Sequence, residues 1–332
     1  MQIIEQGLRL DRRGARLRPF CQHAGVTSRS YSRRLQRVLT DFGAEDSFAA
    51  ATGRMREHYG VNVPPSAART HTLRHARAIA ATVAPPAPPA AQLITQMDGS
   101  MVPIVEPGPG PDGRKGKQLS WCEARLCCAR ESQSAHALYG ATLGSVGVAG
   151  SLWRETAQAA GLAASSRVHG VGDGAPWILT QYQEQFGSQA PYLVDFYHVS
   201  EYLAAAAPRM TRPGREQEWR RRQQGRLLEN KVEGVLRSLA TRLEPAGQTE
   251  APVRAAWRYL SERRAHLDYA GARARELPIG SGEVESGHRH VVQARLKLAG
   301  CWWRKTSAQA MLQLRTARAN NLWDRYWSAA HN

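Results

Sequence analysis

The spacing of apolar residues changes twice along the chain, and each change marks a different kind of structure. Apolar positions recur every three or four residues between Glu45 and Tyr59, with Ser47 as an N-cap candidate, and again over residues 66–83, after the turn GVNVPP. A helix, a short turn and a basic helix predict a helix-turn-helix-like DNA-binding region over residues 45–83. A plain helical hairpin with a solvated basic face fits this pattern equally well.

A proline-rich linker over residues 84–91, containing APPAPPA, marks the first change. Beyond it, strands are predicted at residues 93–97, 118–129, 135–143, 167–173 and 192–194, and helices at residues 146–161 and 176–186. Three strands, a helix, a strand, a helix and a strand form an α/β order that matches the ribonuclease-H-like arrangement. We therefore predict the first part of a ribonuclease-H-like core over residues 92–198.

The second change comes after Asp195, where the patterns become helical. Residues 199–279 predict an all-helical insertion, and residues 280–332 predict two helices that complete the core. The first of these helices begins after Ser281, an N-cap candidate, and ends near Ala299; the second is basic and closes the chain. The expected fold class is α/β, a ribonuclease-H-like catalytic core with a large all-helical insertion, preceded by a helical, helix-turn-helix-like N-terminal region.

Charge adds a partner to this picture. Lys and Arg number 45 against 28 Asp and Glu, giving a formal net charge of +17, which favours a polyanionic partner such as nucleic acid. The opening of the chain is especially rich in arginine and has few large apolar residues. We expect residues 1–44 to form a loosely packed basic arm or the remnant of a longer domain.

Cysteine usage indicates a reduced compartment, because the five cysteines show no repeated CxxC pattern. Cys21 and His23 are not followed by a second pair of ligands, so no metal site is expected there. No apolar run approaches the roughly 20 residues that span a membrane, and the N-terminus lacks the apolar core of a signal peptide. The expectation is a cytoplasmic protein, with access to the nucleoid and without a membrane partner.

Three carboxylates stand where chemistry is expected. Asp98 and Asp173 follow predicted strands, and Glu285 lies in the first turn of the late helix. Carboxylates suit Mg²⁺, and two ions about 3.5–4 Å apart can drive phosphodiester cleavage. Taken singly, each aspartate is more often a turn residue, and each glutamate a helix-dipole carboxylate. Glu283 competes with Glu285, but two residues apart on a helix they face different directions.

Two further residues in the motif DFYHV stand beside this set. Asp195 and His198 lie three apart, just after the last predicted strand, where they form the capping turn of a helix. Either side chain could contact the substrate or position a water. An N-capping aspartate with a solvated or buried histidine is an equally good interpretation.

Basic and aromatic residues give candidate DNA contacts. Arginine and lysine side chains would bind phosphates, and tryptophans near the proposed site would stack on an unpaired base. The alternatives are solvated helix faces and core tryptophans. The candidates are Arg69, Arg74, Arg77, Arg220, Arg221, Arg222, Arg289, Arg295, Lys297, Trp302, Trp303, Arg304 and Lys305.

Four motifs resemble, in their order, those of the DDE transposases of bacterial insertion sequences. They are DGS, GDGAPWI, DFYHVSEYL, and LPIGSGEVES with the following AG.WW and LRTARANNLWDRYW. The nearest group is the Kra-type, allied to the Mutator-like class. The resemblance covers most of residues 90–328. It implies that Asp98, Asp173 and Glu285 form the catalytic, metal-binding triad, and that Asp195 and His198 form the intervening signature. It favours Glu285 over Glu283 because the family's glutamate directly precedes a serine, here Ser286.

The resemblance implies a function and its partners. It implies cleavage at terminal inverted repeats of double-stranded DNA and strand transfer into target DNA, with two Mg²⁺ ions, for which Mn²⁺ can substitute. A homodimer or higher oligomer is expected, because two element ends must be paired. Two alternatives stay open: a ribonuclease-H-like nuclease that cuts without joining, and a decayed, non-catalytic copy that only binds DNA.

Overall fold

A five-stranded mixed sheet forms the centre of the described chain. The computed structural model describes residues 8–9, 16–17, 19, 23, 31–108, 110, 115–187 and 190–329. Two short strands, β1 and β2, pair with each other near the start. The strands are β1 Leu8–Arg9, β2 Arg16–Leu17, β3 Gln92–Glu106, β4 Gln118–Glu131, β5 Leu138–Thr142, β6 Arg167–Gly172 and β7 Tyr192–Val194.

The central sheet has the order β5-β4-β3-β6-β7. Strands β3 and β4 form a long antiparallel hairpin that runs from the pair Leu93 and Glu131 to the pair Glu106 and Gln118. Strands β6 and β7 extend the sheet in parallel on the other side of β3. The order of strands and helices predicted for this part of the sequence is therefore found, within a mixed α/β fold.

Helices occupy most of the remaining described chain. The insertion is helical as predicted, and its helices Glu216–Leu228 and Val232–Ala240 are separated at Asn230, which adopts a left-handed φ of 57°. Within the described ranges no helix is both long and apolar enough to cross a membrane. The α-helices are Arg33–Glu45, Phe48–Tyr59, Pro65–Ile79, Val146–Ala159, Pro176–Phe186, Phe196–Met210, Glu216–Leu228, Val232–Ala240, Pro252–Glu262, Tyr269–Ala274, Gly282–Gly287, Ala294–Leu296, Lys305–Ala319 and Trp323–Ala329, with a 3₁₀ turn at Arg264–His266 and a π-helical turn at His288–Gln293.

The N-terminal region corrects one expectation. Residues 33–44 were expected to belong to a loose basic arm, but they lie in the helix Arg33–Glu45, where Ser32 caps the amide of Leu35. Leu39 and Phe42 on this helix are buried against the following two helices, because its apolar residues share one face. Most of the preceding segment, including Cys21, lies outside the described residues.

Two large cores lie on the sheet. One joins β6, β7 and the adjacent helices to the helical insertion, and the other joins β3, β4 and β5 to the late helices and to the helix Pro65–Ile79. Trp153 is fully buried in the first core, and its indole N–H donates to Thr95 Oγ1 at 2.5 Å. The insertion therefore packs as part of the same hydrophobic core as the parallel strands.

Strand β5 lies at one edge of the sheet, and side chains close that edge. The side-chain oxygen of Asn320 accepts the amide of Tyr139 at 2.8 Å, and its Nδ2 donates to the Tyr139 carbonyl at 2.9 Å. Gln309 accepts the amide of Leu143 at 2.8 Å in the same way. These contacts replace the backbone bonds that a further strand would make.

Candidate active site at the carboxyl end of the parallel strands

The strand register brings three aspartates to one level of the sheet. Gln96 of β3 pairs with Val171 of β6, so Asp98 and Asp173 each stand two residues beyond the same rung. Val194 of β7 pairs with Gly172, so Asp195 stands level with Asp173. Neighbouring strands lie about 4.8 Å apart, which makes these three residues close neighbours.

Asp98 departs from the predicted position in one respect. The sequence predicts it after the end of a strand, but β3 continues past it to Glu106. It is the parallel neighbour β6 that ends at this level, at Gly172. Asp98 is therefore held in a rigid strand, beside the open end of the parallel ladder.

The electrostatics of Asp98 show that the predicted carboxylates are close together. Burial raises the pKa of Asp98 to about 6, against the lowering effect of the Gly99 amide, and the carboxylates of Asp173, Glu285 and Glu123 raise it further. The Gly99 amide donates to Asp98 Oδ1 at 2.7 Å. The structure thus brings Asp173 and Glu285 within electrostatic reach of Asp98, in an arrangement that a bound cation would stabilise.

The carboxylate group fits a hard cation by its chemistry, since Mg²⁺ prefers oxygen ligands and retains several waters. Burial is the main cause of the raised pKa of Asp98, and the neighbouring carboxylates add to it. In the part of the chain that is described, no three His, Cys, Asp or Glu side chains already stand in metal-binding geometry. The fit of the carboxylate group to a metal ion therefore comes from the type of donor atom and from its charge.

His288 lies behind Asp98 and was not identified from the sequence. Its Nε2 is 3.6 Å from Asp98 Oδ2, and its side chain is buried. Burial lowers its pKa to about 4, so the ring is neutral near pH 7. Neither ring nitrogen hydrogen-bonds to another described residue. His288 begins the π-helical turn just after Glu285, and such turns are frequent at functional sites.

Gln96 fixes the start of the helix that carries Glu285. This glutamine is buried in β3, and its Oε1 accepts the amide of Val284 at 2.9 Å. Its Nε2 donates to the carbonyl of Gly280 at 3.4 Å. The sequence predicts Ser281 as the cap, and Ser281 does hold the N-cap position, but its side chain caps no amide of the helix. A strand residue supplies the cap instead.

The two glutamates of this helix have different surroundings. Glu283 forms an ion pair with Arg130. Glu285 is exposed, and its Oε1 lies 3.3 Å from Ser281 Oγ. The ion pair between Glu285 and Arg289, which would explain Glu285 structurally, is not found among the described residues. The arrangement favours Glu285 as the residue that is free to bind a ligand.

Asp195 is buried and holds two parts of the chain together. Its Oδ1 accepts the amides of Tyr197 and His198 at 2.5 and 3.0 Å, as an N-cap of the helix Phe196–Met210. Its Oδ2 accepts the amide of Ser281 at 2.6 Å and the Ser281 hydroxyl. Four donors saturate this carboxylate, so the structure agrees with the capping interpretation rather than with contact to a substrate.

His198 remains accessible beside the site. Its side chain is 37% exposed, and its Nδ1 lies 3.6 Å from Glu201 Oε2. The ring packs edge-on against Tyr202 and Tyr259, at 5.5 Å between centroids in each case. Asp195 and His198, neighbours on one helical turn, therefore occupy different environments.

The helical insertion holds the turn that carries Asp173. The Tyr259 hydroxyl donates to the backbone carbonyl of Asp173, and Arg263 Nε donates to the carbonyl of Gly174 at 2.9 Å. Asp173 Oδ1 accepts the amide of Ala175 at 2.8 Å. Gly174 has a φ of +70°, a conformation that favours glycine. No local signal in the sequence predicts these contacts, because more than 80 positions separate the partners.

The candidate DNA contacts divide into exposed and buried groups. Arg295 and Trp303 are buried, so their side chains do not lie on the solvated surface. Arg220 is half-buried. The exposed candidates are Arg69, Arg74, Arg77, Arg221, Arg222, Arg289, Lys297, Trp302, Arg304 and Lys305.

Comparison with known proteins gives one family. A profile described as "Uncharacterised protein family (UPF0236)" matches residues 162–327, which is half of the 332 residues. A search of the curated proteins finds no match. Among solved structures, the chain is similar to the "Drosophila P element transposase strand transfer complex", with a TM-score of 0.35, 9% sequence identity, and coverage of 92% of this chain and 83% of that chain. A similarity of this size carries no conclusion about fold or function.

Proposed function

The chain belongs to the Uncharacterised protein family (UPF0236), and we propose that it is a DNA transposase of the DDE class. The observation that carries this proposal is the electrostatic coupling of Asp98 to Asp173 and Glu285. Asp98 on β3 and Asp173 just after β6 stand at one level of the sheet, and Glu285 comes from a distant helix. Such a group serves phosphodiester chemistry when divalent ions are bound.

The proposed ribonuclease-H-like core is supported by the sheet. Strands β3, β4 and β5 are antiparallel neighbours, and β6 and β7 continue from β3 in parallel. The first and fourth strands of this series carry Asp98 and Asp173 at one level. The family description names no transposase group, so the Kra-type and Mutator-like relationship rests on the sequence motifs.

Asp98, Asp173 and Glu285 would hold two Mg²⁺ ions, or Mn²⁺ in their place. When bound, such ions activate the attacking oxygen and stabilise the leaving oxygen. The chain's own contribution is to position these carboxylates. Gln96 fixes the start of the Glu285 helix, the Ser281 hydroxyl donates to the Glu285 carboxylate, and Tyr259 and Arg263 fix the Asp173 turn.

DNA would be bound by the exposed basic surface. The N-terminal helices Phe48–Tyr59 and Pro65–Ile79 are joined by a short turn, which supports the helix-turn-helix-like proposal, and Arg69, Arg74 and Arg77 are exposed on the second of them. The partners would be the element's terminal inverted repeats and target DNA. At least a dimer would be needed to pair two ends.

The proposal is tested with a labelled duplex that carries the element's own end, incubated with Mg²⁺. We expect cleaved and joined products from the wild type, and none from Asp173→Asn or Glu285→Gln. Glu283→Gln is the matched control, because it removes a carboxylate two residues from Glu285 and should leave activity within a few-fold of wild type.

Other outcomes have equally definite meanings. Cleavage without joined product would identify a nuclease that does not transfer strands. DNA binding without cleavage, in Mg²⁺ and in Mn²⁺, would identify a non-catalytic copy. Equal activity of the wild type and Asp173→Asn would reject the carboxylate triad.

A further inference from the structure

A cavity of about 600 Å³ lies near the last residues of β3, on the same strand as Asp98. It is bounded by the start of the helix Phe48–Tyr59, by Val105 of β3 and by the segment from Cys301 to Ser307. Trp303 closes one wall, where its backbone bridges to Ile104. The proposed function uses no feature of this cavity.

A buried arginine lines the cavity and forms no ion pair with another residue that the structure describes. Arg295 is 1% exposed, and its guanidinium lies between the rings of Phe48 and Trp303, at 4.8 and 4.7 Å from their centroids. Its Nε donates to the Gly43 carbonyl at 3.0 Å, but its Nη2 has no hydrogen-bond partner in the described chain. Burial lowers its pKa to about 10, so the group is still charged near pH 7.

The nearby carboxylates Glu45 and Asp46 raise the pKa of Arg295, but their direct ion pairs are with other arginines. Glu45 pairs with Arg315, and Asp46 pairs with Arg54 at 2.7 Å. Buried charges are normally paired directly. Arg295 therefore brings a positive charge, without a direct ion pair to another described residue, to the wall of the cavity.

A second residue that lines the cavity, Trp303, also has a buried hydrogen-bond donor without an acceptor in the described part of the chain. The indole Nε1 of Trp303 is buried and has no acceptor among the described residues. Unpaired buried donors call for a specific explanation, such as a missing ligand. Both residues line the cavity, and a phosphate oxygen is a suitable acceptor for donors of this kind.

The rest of the lining is positive. Arg69, Lys117 and Arg304 line the cavity, and no acidic residue is among its described lining residues. The N-termini of the helices Phe48–Tyr59 and Lys305–Ala319 lie at its wall, where helix dipoles favour an anion.

Two exposed tryptophans form the rim. Trp302 lines the cavity and is 41% exposed, and Trp121 is 58% exposed with its ring 6.0 Å from that of Trp302. Exposed aromatic rings of this kind stack on unpaired bases. The rim offers a surface for a base, and the cavity offers donors for a phosphate.

We propose that this cavity binds a backbone phosphate of a DNA strand while an adjacent unpaired base stacks on Trp302 and Trp121. The inference rests on the proposed function, since it names how the DNA is held. Arg295 lies ten residues after Glu285 in one helical segment, roughly 15 Å away at the α-helical rise. A strand seated here would thus be held a short distance from the carboxylates.

The test is binding of fluorescein-labelled single-stranded (dT)8, measured by anisotropy in EDTA, with the full chain carrying Asp98→Asn. Without divalent ions and with an altered carboxylate, binding is separated from catalysis. We expect Trp302→Ala and Arg304→Ala each to weaken the Kd about tenfold or more, and Arg237→Ala, an exposed arginine on the insertion helix Val232–Ala240 that is not among the candidate DNA contacts, to change it less than twofold. Equal effects of all three variants would overturn the inference.

Arg295→Met tests the buried cation. A thermal melt establishes whether this variant folds; if it does not, Trp302→Ala and Arg304→Ala decide the question alone. If it folds, we expect at least a tenfold loss of (dT)8 binding. Undiminished binding would overturn the role of Arg295.

Inorganic phosphate distinguishes two sources of the anion. We expect millimolar phosphate to compete only weakly with (dT)8, because it lacks a base for the tryptophan rim. If phosphate binds tightly and Trp302→Ala leaves (dT)8 binding unchanged, the cavity is a site for free phosphate and the DNA-strand proposal is rejected. If Trp302→Ala and Arg304→Ala do not weaken (dT)8 binding while the unaltered chain still cleaves the element's end, this inference alone is rejected. If these changes weaken (dT)8 binding as expected but the unaltered chain cleaves no DNA, only the proposed transposase is rejected.

Discussion

The amide of Ser281 donates to Oδ2 of Asp195 at 2.6 Å, although 86 positions separate the two residues. Between them lies the whole helical insertion. Residues on either side of the insertion therefore meet at one hydrogen-bonded point beside the sheet. The insertion is closed at its base, so its helices can pack on the core while Glu285 is returned to the level of Asp98 and Asp173.

Replacing Asp195 should destabilise the protein, because four donors depend on its carboxylate. We expect Asp195→Ala to lower the free energy of unfolding by about 3 kcal/mol, and Asp195→Asn, which keeps one acceptor, by about half as much. Urea denaturation measures both. Wild-type stability in Asp195→Ala, combined with loss of DNA cleavage, would instead indicate that Asp195 acts directly on the substrate.

Replacing Gln96 should loosen the start of the Glu285 helix. Gln96→Met keeps the shape of the side chain but leaves the buried amide of Val284 without its acceptor. We expect a loss of about 1–3 kcal/mol in unfolding free energy. Gln92→Met is the control on the same strand, since the Gln92 side chain bonds only to the adjacent Leu93 carbonyl. Similar losses from the two changes would contradict the assigned role of Gln96.

Removing the Tyr259 hydroxyl should free the turn that carries Asp173. Tyr259→Phe keeps the ring, which stacks on Tyr202 at 4.2 Å, and removes only the donor to the Asp173 carbonyl. We expect about 1 kcal/mol of destabilisation in chemical denaturation, and faster amide hydrogen exchange around Gly174. If exchange at this turn is unchanged, the hydroxyl does not hold it.

His75 should make the protein sensitive to acid. Its ring contacts Tyr326 and Gln36, and burial lowers its pKa from 6.5 to about 4, with further lowering by Arg74, His71 and Arg33. Between pH 6.5 and 4 the unfolded chain binds a proton at His75 that the folded chain does not bind. Stability contributed by the neutral ring therefore falls as the pH falls through this range.

The measurement is the free energy of unfolding at several pH values between 7 and 4, for the wild type and His75→Gln. The slope of the variant should be smaller, by up to about 1.4 kcal/mol per pH unit for one proton. The sign is decisive: a steeper slope in the variant would mean that His75 is protonated in the folded protein.

Local patterns predicted the elements that depend on local chemistry. Ser47 caps its helix, the strand at residues 192–194 was placed correctly, and the order of strands and helices in the sheet was anticipated from period and turn residues. The helix Arg33–Glu45 was missed because its arginines masked an apolar face formed by Leu39 and Phe42. The arginine-rich composition of this segment concealed the helical spacing of its apolar residues.

The sequence predicts the carboxylates of the candidate site, but not the residues that hold them in position. Asp98, Asp173 and Glu285 were selected from strand ends and a helix start, and these carboxylates do influence one another. Gln96, His288 and Tyr259 act across long separations, and such contacts leave no periodic trace. The burial of Arg295 and Trp303 likewise depends on how the N-terminal helices pack on the late segment.

The amide pair between Asn320 and Tyr139 also sets an order of events during synthesis. Its partners are 181 positions apart, and the asparagine is the later one. At roughly 5–20 residues per second, the ribosome delivers Asn320 about 10–35 s after Tyr139. For that interval the nascent chain carries an uncovered strand that can pair with its neighbours on a polysome. The edge strand β5 is therefore covered only when the last helices have been synthesised.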